Sequence, residues 1–242
     1  IETPTCLMAV LNEAKDIAGD TLVAFELMNG VGVELALKRY PNLQRPIETR
    51  SRWYVLVRLA GRESVDDTLT TLFERTFGSG HLTDAVMAQS ESQEHNLWAL
   101  RDQMIPMQYF PGPVAKWDVS VPINKIATFL YRAESIANKH DPNAVSYAVG
   151  HVGDGNIHYS IFPQRDPGPC TEALLAAYIS EIDALTWSLG GSIVAEHGVG
   201  TVYIDRMRAQ KPPVEYAMMQ QVKRMFDPAN LMNPGKLLRL DS

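Results

Sequence analysis

The chain has 242 residues, 45% of them hydrophobic, and a formal charge of −6 with a pI near 5.5. That is enough apolar material for one large domain or two small ones, and the scattered Lys and Arg exclude the clustered basic face a nucleic-acid binder needs. No apolar run approaches the ~20 residues of a membrane span, and nothing at the start has the basic-then-apolar layout of a secretory leader.

Strand and helix patterns alternate along the chain. Apolar runs predict strands over 22–27 and 53–60 with a helix over 31–39 between them. A helix over 63–77 and a strand over 84–89 follow. The next helix, 91–104, carries Leu97, Leu100 and Met104 at helical spacing and is closed by Pro106, Pro111, Gly112 and Pro113. The strand 115–121 places Lys116, Asp118 and Ser120 on one face and Trp117, Val119 and Val121 on the other. One of its sides is therefore packed and the other polar.

Pro122 opens a helix reaching about 139. Strands 145–149 and 157–162 flank the turn Gly153-Asp-Gly-Asn156, and a helix over 170–189 ends at Gly190-Gly191. A short strand over 192–196 runs into a glycine-rich bend, and a last helix, 214–226, has Met218, Met219 and Met225 as its core packing. The tail is turn-rich. No strand leads into Gly-x-Gly-x-x-Gly, so no nucleotide site is expected within the chain. The pattern predicts an α+β fold: an antiparallel sheet with helices on one face, built from ferredoxin-like β-α-β modules, its polar face free to form a cleft.

The densest chemistry lies in His151-Val-Gly-Asp-Gly-Asn-Ile-His158 and Glu196-His-Gly-Val-Gly200. His151 and His158 are an odd number of positions apart, so on one straight strand they would face opposite ways. The intervening turn lets them meet across a hairpin. Imidazole nitrogen with carboxylate oxygen suits a divalent transition metal, and two His with one Glu is a catalytic zinc arrangement, which makes Glu196 the natural third ligand. His197, its neighbour, faces the other way in an extended chain and so has a different job. His81, His95 and His140 have no partners in sequence and are treated as incidental.

Cys6 and Cys170 match no metal or redox spacing, which favours a reducing compartment, cytoplasmic or, in a eukaryote, the mitochondrial matrix. Because Ile1 stands where Met is usual, the sequence reads as part of a longer or processed protein.

Five blocks in order carry a resemblance: Leu97-Trp-Ala-Leu-Arg101, Lys116-Trp-Asp-Val-Ser-Val-Pro122, His151 to His158, Glu196 to Gly200, and Phe226-Asp-Pro-Ala-Asn-Leu-Met-Asn-Pro-Gly-Lys236. With them the whole chain, 1–242, resembles the C-terminal, substrate-binding domain of FAD-linked oxidases of the vanillyl-alcohol-oxidase type, in the branch of D-2-hydroxyglutarate and D-lactate dehydrogenases. The N-terminal FAD-binding domain of such enzymes is absent here. The resemblance implies oxidation of a D-2-hydroxy acid to the 2-oxo acid by hydride transfer to FAD. It implies zinc or manganese on His151, His158 and Glu196, and His197 as base. Arg101 and Lys116 match residues holding the substrate carboxylate. Asn156 matches a residue close to both substrate and flavin, Asn233 one near the flavin, and the tail 227–242 would pack toward the flavin side.

Two departures from the family pattern, Tyr203 where many members have a basic residue and Ile105 where the 2-hydroxyglutarate enzymes carry a hydroxyl, leave the side chain of the acid open. The implied partners are a small anionic 2-hydroxy acid, the FAD-binding domain and an unspecified electron acceptor, with apolar helix faces that could also support a homodimer. Without the resemblance, the same residues could serve a stand-alone metal-dependent hydrolase or a non-catalytic metal-binding module.

Overall fold

A computed structural model describes residues 1–61, 65–107, 112–164 and 166–240. Five strands, β1 (Leu22–Asn29), β2 (Trp53–Leu59), β3 (Ala115–Ser120), β4 (Val145–His151) and β5 (Asn156–Phe162), form one sheet in the order β2-β1-β4-β5-β3. Every pairing among them is antiparallel. With the eight α-helices of the described residues around it, this is the α+β architecture expected from the alternating pattern.

The helices are α1 (Pro4–Ala18), α2 (Gly30–Arg39), α3 (Asp66–Gly78), α4 (Glu91–Met107), α5 (Ile126–His140), α6 (Pro169–Ser188), α7 (Ile204–Gln210) and α8 (Pro213–Phe226). Strand alternation divides the sheet. Phe25 and Leu27, Trp117 and Val119, and Ile157, Tyr159 and Ile161 join α1, α5 and α6 in the main core. On the opposite face Met28, Tyr54, Leu56, Tyr147 and Val149 meet Val33 and Ala36 of α2 and Leu100 and Met104 of α4. Half of that second face is thus covered; the half belonging to β3 and β5 carries polar side chains.

Helices α1 and α7 go beyond the elements expected from sequence. Their signals were present: Thr3 caps α1 by accepting from the Cys6 N–H at 3.1 Å, Pro4 fills its first turn, and Leu7, Val10, Leu11 and Ala14 line its buried side. The expected start of α3 at Glu63 and the helix-closing Pro111 lie outside the described residues.

Two expected strands are not formed. Residues 84–89 run without a ladder, and 192–196 reduce to single bridges, Ser120 to Ser192 and Asp118 to Val194. The methionine reading of α8 also needs correction. Met218 and Met225 are 61% and 68% exposed, because α8 packs only a small cluster of Met207, Tyr216, Leu238 and Met219 and turns its other side outward.

The same order runs twice through the chain. In the second half β3 leads to α5, β4, β5 and α6, and the chain returns to bridge β3 at 192–194. In the first half come α1, β1, β2 and α3, followed by residues 84–88. The halves join along β1 and β4.

Candidate metal and substrate site

Register and alternation assemble the site on the polar half of the sheet. Glu26 on β1 lies opposite His151 on β4, and His158 on β5 lies between Val149 and Asp118. Lys116 and Ser160 form the next row, Ser120 and Asn156 the one before. The Gly-Asp-Gly-Asn turn brings His151 and His158 together as expected, with ring centroids 6.2 Å apart. At its Gly155, φ is +83° and a Cβ would come within 2.4 Å of the Val121 carbonyl oxygen, so only glycine fits.

Each histidine is backed by a buried carboxylate. His151 Nδ1 is 2.8 Å from Glu26 Oε1, so the Nδ1–H tautomer donates there and Nε2 keeps its lone pair, which faces the Arg101 guanidinium at 3.2 Å and which a metal would have to take over. His158 Nδ1 is 3.5 Å from Asp118 Oδ1, and its Nε2 is 2.9 Å from Glu196 Oε1. Burial holds His158 below its ordinary value against the upward pull of Asp118 and Glu196, which keeps the imidazole neutral near pH 7 and available as a ligand.

Asp118 organises the loop that carries Glu196 and His197. Its Oδ2 accepts the N–H groups of Ala195, Glu196 and His197 at 3.2, 2.8 and 2.9 Å, and its Oδ1 accepts from Asn156 Nδ2 at 2.8 Å. Burial pushes this carboxyl up, but the N–H groups of His197 and Glu196 and the Asn156 amide outweigh it, so it titrates below its usual range. The reciprocal Ser120–Ser192 bonds, 2.9 Å each, hold the segment against β3. They require glycine at 191, where a Cβ would fall 2.3 Å from the Ser120 oxygen.

His197 does not point away from Glu196. The bend stacks its ring on His158, centroids 5.2 Å apart at 17°, with Nε2 3.8 Å from Glu196 Oε1. It is 61% exposed, on the open side of the cluster.

Two donor sets converge within 4.8 Å: His151, His158 and Glu196, and Asp118, His158 and His197. The first fits a divalent cation better. Four N–H groups already occupy Asp118, whereas Glu196 accepts only from an imidazole that a metal would replace. Neutral nitrogen and carboxylate oxygen, with carboxylates behind both imidazoles, form a chemically coherent ligand set.

The remaining expected residues are placed unequally. Arg101 is buried on α4, its Nε 2.9 Å and Nη2 2.8 Å from Glu26 Oε2, and its Nη2 3.2 Å from His151 Nε2. The Tyr147 hydroxyl, donating to the Met104 carbonyl, ties α4 to the sheet beside it. Lys116 faces the same cleft, and burial lowers its ammonium below the usual value. Asn156 uses its amide N–H on Asp118 while its Oδ1 is buried and unpaired. Asn233 lies on the exposed tail with φ +47° and is not brought into this cluster.

Glu26 has no place in the sequence reading, and Asp118 appears there only on the polar face of its strand. The signal for Glu26 was a single charge inside the apolar strand Ala24-Phe-Glu-Leu-Met28, where burial demands a partner.

Comparison with known proteins agrees in fold and sequence. A family model described as "FAD linked oxidases, C-terminal domain" matches residues 4–237. Mitochondrial D-2-hydroxyglutarate dehydrogenase of Rattus norvegicus is 31% identical over 97% of this chain and 43% of its own length. D-2-hydroxyglutarate dehydrogenase of Stutzerimonas stutzeri is 33% identical over 96% of the chain and 49% of its own length. The chain thus spans somewhat under half the length of these relatives. Among solved structures, 4-ethylphenol oxidase from Gulosibacter chungangensis aligns over 98% of this chain and 52% of its own, with a TM-score of 0.62 at 14% identity, a likeness of fold.

Proposed function

The chain belongs to the family of C-terminal domains of FAD-linked oxidases, and from that membership we propose that it forms the substrate- and metal-binding part of a flavin-dependent dehydrogenase oxidising a D-2-hydroxy acid, 2-hydroxyglutarate- or lactate-like, to the 2-oxo acid. The carrying observation is the convergence of His151, His158 and Glu196 donors on one sheet face beside the exposed imidazole of His197.

A zinc or manganese ion on those donors would supply Lewis acidity to the substrate hydroxyl, and FAD from a partner domain would supply the hydride acceptor. His197 takes the hydroxyl proton; its position on the open side of the cluster lets it reach a substrate oxygen held there. Of the five N–H donors of Arg101, Glu26 engages two, leaving others to grip the substrate carboxylate at the edge of the metal site. Lys116 adds a desolvated positive charge from the neighbouring strand. Asn156 holds Asp118 through its amide N–H and has an unpaired oxygen left to accept from a substrate or flavin group. Asn233, on the tail, would meet the flavin only once the partner domain is in place, as would the 227–242 segment as a whole.

Metal analysis of the chain beside His151→Ala and Glu196→Ala tests the site: near-stoichiometric zinc or manganese is expected in the parent and loss in both variants. Full-length, FAD-loaded protein is expected to oxidise D-2-hydroxyglutarate or D-lactate and not their L enantiomers. Absence of metal from the full-length enzyme, or turnover indifferent to stereochemistry, overturns the assignment.

A further inference from the structure

Strand β2 stands at a sheet edge but has the composition of an interior strand. Trp53, Val55 and Val57 pack into the main core, Tyr54 and Leu56 into the smaller one. Edge strands are ordinarily blunted by charge, proline or a bulge; within β2 only Arg58 is charged. Interior strands are apolar on both faces.

Beyond that edge lies a cavity of about 290 Å³, walled by β2, by α3 and by residues 84–88. No backbone hydrogen bond among the described residues joins β2 to 84–88. The indole Nε1 of Trp53, on the cavity wall, is buried without a partner.

One end of the open edge is occupied. The Ile1 amino group donates to the Trp53 carbonyl at 3.1 Å, and the Trp53 N–H donates to the Ile1 carbonyl at 3.0 Å. Two residues that exchange both bonds form an antiparallel pair. Ile1 is itself 4% exposed.

The second half of the molecule supplies the comparison. There β3 lies between β5 and the bridging segment 192–194, pairs Ser120 with Asn156 at the start of β5, and passes into α5 within a few residues. In the first half Ile1 pairs with Trp53 at the start of β2 and the chain passes into α1 at Pro4. Of β3, α5, β4, β5, α6 and the bridging segment, each has a counterpart in the first half except β3.

We propose that the polypeptide immediately preceding Ile1 in the full-length protein enters this cavity as a strand of about six residues, antiparallel to β2, and takes residues 84–88 as its other neighbour. The residue before Ile1 falls opposite Tyr54, the next opposite Val55, and so on to Leu59. Because Trp53 directs its N–H and C=O outward, Val55, Val57 and Leu59 do the same, and the inserted strand satisfies them. Residues 84–88 then acquire the ladder their sequence predicts, and β2, α3 and 84–88 complete a β-α-β unit with one strand between its two. The strand is apolar on both faces and free of proline, since it is wedged between the same two cores as β2.

Amide hydrogen exchange on the full-length protein and on the chain starting at Ile1 tests this. Val55 and Val57 amides are expected to exchange about 1,000-fold more slowly in the full-length protein, while Val149 and Ile157 in the central strands are equally protected in both and report that both are folded. Proline at the second residue before Ile1 returns Val55 to fast exchange with Val149 unchanged. Equal rates at Val55 and Val57 in both forms overturn the proposal. So does protection in the shorter chain that rises with concentration, which would assign the edge to a second copy, or a native protein whose mature chain starts at Ile1. None of these outcomes bears on metal binding at His151, His158 and Glu196.

Discussion

Apart from β3, the two halves of the sheet share an order of elements and differ in the connection between their paired strands. Between β4 and β5 the chain turns over residues 152–155, whereas between β1 and β2 it inserts α2 and the segment 40–52. The inserted helix, with α4, covers the first half's share of the second face, and the strand positions beneath are accordingly Met28, Tyr54 and Leu56. Among the described residues no helix covers the equivalent face of β3 and β5. Its positions are Asp118, His151, Asn156 and His158, polar groups that satisfy one another and converge on a cleft. A face left open by its connection can hold chemistry, while a face roofed by a helix must pack it.

The sharpest break of that comparison is Asp118→Ala against Leu56→Ala. Removing the Asp118 carboxylate strands the N–H groups of Glu196 and His197 and frees the loop, which stays tied only by the Ala195 N–H to the residue-118 carbonyl, a loss of about 3–5 kcal/mol by urea unfolding, with bound metal lost as well. Leu56→Ala is expected to cost about 2–4 kcal/mol by leaving a cavity, with metal retained. Metal retention by folded Asp118→Ala would show that the loop is positioned by something other than this carboxylate.

Glu26 belongs to the first half yet serves the second. Glu26→Gln keeps the shape but removes the charge facing Arg101 and leaves one acceptor oxygen where two are used; with that oxygen on Arg101, a donor NH2 faces His151 Nδ1 and its tautomer is no longer fixed. A loss of about 2–3 kcal/mol in stability is expected, with metal affinity about 10–100-fold weaker by competition titration. Unchanged affinity would mean that His151 needs no carboxylate behind it.

A smaller effect separates the halves by pH. Burial lowers the folded-state value of His158, so above the ordinary histidine value of ~6.5 both folded and unfolded chains hold it neutral. As pH falls below ~6.5 the unfolded chain takes a proton that the folded one refuses, and stability declines by at most about 1.4 kcal/mol per pH unit until the folded value is reached. Urea midpoints of the metal-free chain at pH 7.5 and 5.5 are expected to differ, and His158→Gln to flatten part of that difference. An equal pH dependence in the variant would assign the decline to other groups.

How much of this was legible in sequence follows the same division. Local signals exposed all five sheet strands and the His-turn-His hairpin, because alternation and Gly-Asp-Gly-Asn are properties of a few adjacent residues. Glu26 was invisible as a site residue because its meaning depends on β1 pairing with β4, more than a hundred positions away. The orientation of His197 was misjudged because an extended chain was assumed where Asp118 gathers three successive N–H groups into a bend. Residues 84–89 have a strand's composition and no ladder, and composition alone cannot supply a neighbour.

The smallest expected effect lies on α8. Met225 and Phe226, with Val214 and Met218 along the helix and Leu231 and Met232 just after it, leave a broad apolar surface open. Replacing Met225 and Phe226 together with Ser is expected to shift the stability of this chain by no more than about 0.5 kcal/mol, since neither side chain is packed here. In full-length protein the same pair is expected to weaken FAD retention if this surface and the tail face the flavin domain, because an exposed apolar patch of this kind marks a contact. Equal FAD retention by parent and variant would move the domain contact elsewhere. A large loss of stability in the isolated chain would instead show that α8 packs its outer side against this domain after all.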